Sequence, residues 1–429
     1  MSALVLTGPA TASGSIRVPG DKSISHRALI VSAMAEGTSR IGGLSRGLDV
    51  RATERALTAL GVEIEETGSG DVTVRGGAWH EPEQVIDVGN SGTTLRLMAG
   101  AVAGRPFMTV LTGDRSIVRR PVDRVADPLR QMGATVLARA GGRLPPLVVC
   151  GGALRGITYR LPVPSAQVAG AVLLAGLSAR GPTTVVDMPG VRRHTEELLA
   201  AAGADIRREG DTVTLRPSDL HPIDVEVPGD PSQAAFWLVA AAVTGGRVTV
   251  EGLYTGAERL AYLDVLRRMG AEVVVDTETG RVTVGGGGLV ATHLAPDEVP
   301  AVVDEVPILA VAAAVAEGES RLEGLGELRV KESDRVETVA RMLTCFGVSV
   351  RVEGDSMVIR GGVPLRGATV DAAGDHRIAM AAAVAGLAAT GRSRVDGWEV
   401  TATSYPGFAD GLSELAPASS ARIEGSASR

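Results

Sequence analysis

The chain has 429 residues, a formal net charge of −7 and 45% hydrophobic residues, yet only 3% aromatics. That length supplies two or three domains with cores built from Ala, Val, Leu and Gly, and the acidic balance argues against a general nucleic-acid binder. With only Cys150 and Cys345, no signal-peptide pattern and no apolar run of about 18 residues, a disulfide framework and a membrane span are both excluded, and a soluble cytoplasmic protein is expected.

Six times along the chain a polar turn leads straight into an almost uncharged Ala/Gly/Leu/Val helix. The openings are Lys22-Ser23-Ile24-Ser25-His26-Arg27, Asn90-Ser91-Gly92-Thr93, Ser165-Ala166-Gln167, Pro231-Ser232-Gln233, Asp304-Glu305 and Asp375-His376-Arg377. Markers at Ser25, Ser91, Ser165, Ser232, Asp304 and Asp375 stand 66, 74, 67, 72 and 71 residues apart. Such self-similarity sets the fold, and the period is long enough for each unit to hold a small sheet. A second phrase recurs, as in Leu129-Arg130-Gln131-Met132-Gly133-Ala134 and Leu266-Arg267-Arg268-Met269-Gly270-Ala271. It reads as an amphipathic helix ended by glycine and followed by a strand. Strands are also expected after each uncharged helix, at 39–44, 107–112, 183–188, 247–253, 320–325 and 393–398.

Helices without charge must be buried on every side, so the expected fold is α/β with helices packed inside sheets. The sixth unit lacks its hairpin, and strands at 3–7 and 15–18 are expected to supply it. Three units then occupy 20–228, and three occupy 1–19 plus 229–416, with crossings near Pro19-Gly20 and Pro228-Gly229. Residues 417–429 show no apolar periodicity and are expected to be a disordered tail.

Helix N-termini expose unpaired N–H groups and the positive end of the dipole, so several together suit anions. Lys22, Ser23 and Arg27 add a mobile cation, a hydroxyl and a bidentate fork. Gly92 allows a ligand close to the main chain, and Arg120, before Pro121, is expected to be extended. Ser165 and Gln167 offer neutral hydrogen-bonding groups. Asp304 stands before an apolar helix as a candidate general base, and Lys331-Glu332-Ser333-Asp334-Arg335 concentrates charge. Each signal alone also fits a capped helix or a solvated loop; their shared register in a repeat does not.

These phrases, D-K-S-I-S-H-R (21–27), G-N-S-G-T-T-L-R (89–96), R-R-P-V (119–122), S-A-Q-V (165–168), R-V-K-E-S-D-R (329–335) and G-D-H-R-I-A-M (374–380), closely resemble those of the bacterial 5-enolpyruvylshikimate-3-phosphate synthases. The resemblance runs from about residue 8 to 415. It implies a two-domain inside-out α/β barrel, each domain three βαβαββ repeats, closing on substrates. It implies transfer of the enolpyruvyl group of phosphoenolpyruvate to shikimate 3-phosphate, in aromatic amino acid and chorismate biosynthesis, by a monomer without metal or organic cofactor. Carried over by position, Lys22, Ser23, Arg27, Ser165, Ala166, Gln167, Asp304 and Lys331 would surround shikimate 3-phosphate. Lys22, Gly92, Arg120, Gln167, Arg335 and Arg377 would surround phosphoenolpyruvate. Asp304 would be the base, and Glu332 with Lys22 the proton donor. Glyphosate would compete for the phosphoenolpyruvate site.

The chain departs from the family in three places. Thr403 stands where many members have Lys. Val191 replaces a Ser, with Arg192 and His194 as substitutes for sugar-phosphate binding. Glu327 replaces an Asn found in some relatives. The UDP-N-acetylglucosamine enolpyruvyl transferases share the repeat but carry a reactive Cys in the segment matching 112–120, where this chain has none. A non-catalytic sugar-phosphate binder is opposed by the retained Lys22, Asp304 and Glu332. The fourth opening receives no ligand role and is expected to serve a hinge.

Overall fold

A computed structural model of the chain describes residues 2–68, 71–188 and 191–425. It divides into two compact units, Gly20–Val227 and Met1–Pro19 with Pro228–Arg429. Each repeats one plan three times.

The unit Gly20–Val227 contains, in chain order, α1 (Lys22–Met34), α2 (Leu48–Ala59), α3 (Gly92–Val102), α4 (Asp123–Met132), α5 (Ala166–Gly176) and α6 (His194–Ala201). The uncharged helices α1, α3 and α5 form its centre, with every residue of α1 from Ile24 to Ala33 and of α5 from Val168 to Gly176 buried. Small residues allow this: a Cβ on Gly100 of α3 would lie 2.2 Å from the Ala171 carbonyl oxygen of α5. Helices α2 and α4 bury one stripe and leave charged residues at the surface. The glycines closing the recurrent phrase have positive φ, 109° at Gly133 and 98° at Gly270, where a Cβ would be strained.

Three four-stranded sheets cover the helices. One runs Asp224–Glu226, Gly37–Gly42, Val72–Gly76, Glu63–Glu66. The others run Ile86–Asp87, Met108–Thr112, Leu144–Cys150, Thr135–Ala138 and Thr158–Arg160, Thr183–Val186, Thr212–Leu215, Ile206–Glu209. In each sheet the first two strands are parallel and the rest antiparallel. Each buried helix leads into the second strand.

The other unit holds α7 (Pro231–Thr244), α8 (Ala261–Arg268), α9 (Val306–Val315), α10 (Arg335–Cys345), α11 (His376–Ala388) and α12 (Phe408–Leu415). Here α7, α9 and α11 are the buried three. Five of the chain's eleven aromatics gather on and beside α7, where Trp237 stacks on Phe408 at 4.2 Å and Phe236, Trp398 and Tyr405 pack on Phe408. Two sheets follow the plan, Gly14–Arg17, Arg247–Glu251, Arg281–Gly285, Glu272–Asp276 and His293–Leu294, Glu319–Leu322, Ser356–Arg360, Ser349–Glu353.

The third sheet corrects two expectations. Its order is Thr369–Asp371, Gly391–Asp396, Ala3–Gly8, Arg422–Glu424. Only the first N-terminal strand completes it; Gly14–Arg17 instead lies parallel to Arg247–Glu251 in the fourth repeat. The outer position is filled from the segment expected to be disordered. Residues Pro417–Ser419 form a 3₁₀ turn, and Ala3–Val5 pair with Arg422–Glu424. Glu424 also reaches Arg392, Arg394 and Arg422 at 3.1, 3.1 and 2.9 Å. Backbone pairing on an open edge needs no apolar periodicity, so composition concealed it. Residues 426–429 of that expected tail lie outside the described residues.

Candidate active site

Five of the six buried helices begin with a side-chain cap. Asp21, Ser91, Ser165, Asp230 and Asp375 accept the N–H groups of Ile24, Thr94, Val168, Ser232 and Arg377. Capping satisfies an orphan donor and stabilises a helix by about 1 kcal/mol. The exception is α9, whose N-cap residue Glu305 makes no side-chain cap bond.

In the unit Gly20–Val227 the first three openings are tied together. Lys22 Nζ donates to Asp49 Oδ2 of α2 at 2.8 Å. His26, fully buried, places Nδ1 2.7 Å from Thr53 Oγ1, which meets Thr94 Oγ1 at 2.7 Å, and Thr94 reaches Ser91 Oγ at 2.8 Å. Burial, reinforced by Lys22 and Arg27, holds the His26 pKa well below its usual 6.5, so the ring is neutral. Arg96 Nη1 donates to Gly92 O at 3.1 Å and to Gln167 Oε1 at 3.0 Å, and Gln167 Nε2 donates to Thr93 Oγ1 at 2.9 Å. Arg120 is extended (φ −82°, ψ 134°) and 8% exposed. Gly92 faces two cations: a Cβ there would lie 2.7 Å from Arg96 Nη1 and 3.0 Å from Arg120 Nη1.

Arg27 donates to Ser23 O and Ala166 O, and Arg192 Nη1 approaches Ser23 Oγ at 3.4 Å. This half of the predicted set is thus gathered at adjoining helix openings. Asp49, Arg96 and Thr195 belong to the same cluster but received no ligand role from the sequence; Asp49 and Thr195 meet their partners 27 and 168 residues away.

In the other unit Arg335, 2% exposed, is the centre of charge. Its Nε donates to Asp375 Oδ2 at 2.8 Å, and its Nη2 to Asp375 Oδ1 at 3.2 Å and Glu332 Oε2 at 2.6 Å. Its Nη1 lies 3.8 Å from Asp304 Oδ1, and Arg377 Nη2 lies 3.8 Å from Asp304 Oδ2. Arg377 Nη1 fixes the Asp304 main chain through its carbonyl at 2.9 Å. Asp304 is thus held by two buried guanidinium groups without a close hydrogen bond from either. Lys331 lies 3.6 Å from Glu327, the residue that departs from the Asn of relatives; burial lowers its pKa, opposed by Asp304 and Glu327. Thr403 is buried in the 3₁₀ turn Trp398–Thr403.

The fourth opening carries a buried polar network. Arg259 Nη2 donates to Asp230 Oδ1 at 2.9 Å and Ser232 Oγ at 3.1 Å, and Ser232 Oγ donates to Glu305, next to Asp304. Asp230 N–H donates to Pro19 O at 2.9 Å.

Residues 6–412 match the family model for EPSP synthase (3-phosphoshikimate 1-carboxyvinyltransferase). The chain belongs to the EPSP synthase family. A 3-phosphoshikimate 1-carboxyvinyltransferase of Herpetosiphon aurantiacus is 45% identical, over 92% of this chain and 95% of that protein. One from a Synechococcus species is 46% identical over 97% and 99%. The solved EPSP synthase of Acinetobacter baumannii superposes with a TM-score of 0.86 at 36% identity, covering 99% of this chain and all of that one. The enolpyruvyl transferase NikO of Streptomyces tendae, at 21% identity and a TM-score of 0.81, shares the fold. Among the described residues no helix is long and apolar enough to cross a membrane, and no group of three or more His, Cys, Asp or Glu is placed to hold a metal.

Proposed function

We propose that the chain transfers the enolpyruvyl group of phosphoenolpyruvate to the 5-hydroxyl of shikimate 3-phosphate and releases inorganic phosphate, as a step of the shikimate pathway. Membership of the family supplies the reaction. Asp304, set between the buried Arg335 and Arg377 at the opening of α9, is the observation that carries the assignment of its base.

Shikimate 3-phosphate is taken by Lys22, Ser23, Arg27, Ser165, Ala166, Gln167 and Arg192, together with Asp304 and Lys331. Phosphoenolpyruvate, with a carboxylate and a phosphate, is taken by Lys22, Gly92, Arg120, Gln167, Arg335 and Arg377. Guanidinium forks match both of its anionic groups by paired hydrogen bonds. Glu332, with Lys22, delivers a proton to the methylene carbon. In the free protein Arg335 holds the Glu332 carboxylate at 2.6 Å, and phosphoenolpyruvate competes for that guanidinium, leaving Glu332 to take up the proton it donates. The neighbouring carbon then becomes oxocarbenium-like, and the 5-hydroxyl oxygen bonds to it as Asp304 removes the hydroxyl proton. The C–O bond to phosphate breaks in the resulting tetrahedral adduct, and loss of one methyl proton restores the double bond. Asp304 suits its task because two buried arginines stand 3.8 Å from its carboxylate oxygens and favour its ionised form.

The test is release of inorganic phosphate by the pure protein with both substrates. Release dependent on both supports the reading; binding of both without turnover overturns it. The segment 112–120 contains no cysteine, which weighs against an amino-sugar acceptor.

A further inference from the structure

Arg27 is 3% exposed, and the three acceptors of its hydrogen bonds named here are neutral: Thr195 Oγ1 from Nε at 2.7 Å, Ser23 O from Nη1 at 2.9 Å, and Ala166 O from Nη2 at 3.1 Å. Two of these are main-chain oxygens in the openings of α1 and α5. The guanidinium therefore joins the two openings assigned to the sugar phosphate. A guanidinium is planar, so whatever holds Nε sets the direction of the whole fork. Thr195 does this from the first turn of α6.

Two further features fix Thr195. The next residue, Glu196, takes both Nε and Nη2 of Arg208 at 2.8 and 2.6 Å, and Arg208 also grips Asp187 at 2.7 Å, which pins α6 to the end of strand Thr183–Val186. On α5, Gly170 provides the space: a Cβ there would stand 2.7 Å from Thr195 Oγ1, 3.0 Å from Leu97 Cδ2 and 3.7 Å from Arg27 Nη2. Any side chain at 170 would push the hydroxyl away from Arg27.

We propose that Thr195 and Gly170 are positioning residues for shikimate 3-phosphate, acting through Arg27: Thr195 orients the guanidinium and Gly170 keeps the place that Thr195 occupies. This rests on the function proposed above. Neither residue need touch the substrate. A hydrogen bond to a charged group is worth enough to change an equilibrium by about 10- to 100-fold.

Calorimetric titration of shikimate 3-phosphate into the full chain tests it, using Thr195→Val, Thr195→Ser and Gly170→Ala. Valine keeps the volume and removes the acceptor; serine keeps the acceptor and loses a methyl group. The expected result is Kd raised about 10-fold or more by Thr195→Val and Gly170→Ala, and within about 3-fold of the parent for Thr195→Ser. KM for phosphoenolpyruvate should stay within about 2-fold throughout. A purely packing role predicts the reverse order, with serine worse than valine, and that order overturns the proposal. Equal Kd in parent and Thr195→Val also overturns it while leaving the function standing. A parent that does not bind shikimate 3-phosphate defeats the function itself.

Discussion

Neutralising Asp375 tests the charge arrangement around Arg335 most directly. The Asp375 carboxylate is fully buried and accepts four hydrogen bonds, from Arg335 Nε and Nη2, Ser333 Oγ and the Arg377 N–H, at 2.8, 3.2, 3.0 and 3.0 Å. Asparagine keeps the shape but puts an NH₂ against at least one donor and removes the charge. Breaking a buried pair costs about 3–5 kcal/mol, and because Glu332 still holds Arg335 the lower end, about 3 kcal/mol, is expected. For a unit of this size each kcal/mol moves the melting temperature by roughly 2–4 °C, so Asp375→Asn should lower it by about 6–12 °C. Asp375→Ala also loses the α11 cap, about 1 kcal/mol more. Tryptophan fluorescence during heating reads the relevant unit through Trp237 and Trp398, with Trp79→Phe as background. Burial by itself would raise the Asp375 pKa, but Arg335 outweighs it and holds the group below the usual 3.8. The stability Asp375 provides is therefore present above pH 3.8 and lost as pH falls through its lower folded value, where parent and variant should converge. Melting of Asp375→Asn within about 2 °C of the parent at pH 7 would refute this account of Arg335.

Asp304→Ala should lower kcat by at least about 100-fold while leaving Kd for shikimate 3-phosphate nearly unchanged, as steady-state rates and calorimetry will read. Gly92→Ala places its methyl against Arg96 and Arg120, both flexible ends, so the fold should survive while KM for phosphoenolpyruvate rises about 10-fold; an unchanged KM removes Gly92 from that site. His26 is neutral when folded and binds a proton more readily when unfolded, so stability is complete above pH 6.5 and falls below it by up to about 1.4 kcal/mol per pH unit. Urea titrations at pH 7 and 5 should show His26→Gln losing less than the parent. Deleting residues 417–429 strips the partner from Ala3–Val5 and should lower the melting temperature by several degrees; a tail that contributes nothing to the fold would leave it unmoved.

The six buried helices and their openings were legible because burial on all sides demands an uncharged run, and a ligand-binding start demands polar residues before it. The two demands write an abrupt boundary at Lys22, Ser91, Ser165, Asp304 and Asp375. Thr195 and Asp49 were not legible, since nothing local distinguishes a threonine that accepts from an arginine 168 residues earlier from one that caps its own helix. The strand Arg422–Glu424 was missed for a related reason: it contributes main-chain bonds and ion pairs, and its one apolar residue, Ile423, is 53% exposed. The polar network at the fourth opening, read from sequence only as a hinge, was hidden because Asp230, which caps α7, lies just before Pro231, and its partner Arg259 lies 29 residues on.

The pairing of Ala3–Gly8 with Gly391–Asp396 sets a schedule for synthesis. The unit Gly20–Val227 has all its strands once Val227 has emerged from the ribosome and can fold while the remainder is made. The strand made first, Ala-Leu-Val-Leu-Thr-Gly, must wait for a partner encoded nearly 400 residues later. At roughly 5–20 residues per second that is a delay of roughly 20–80 seconds with an apolar edge exposed, long enough for a chaperone to occupy it.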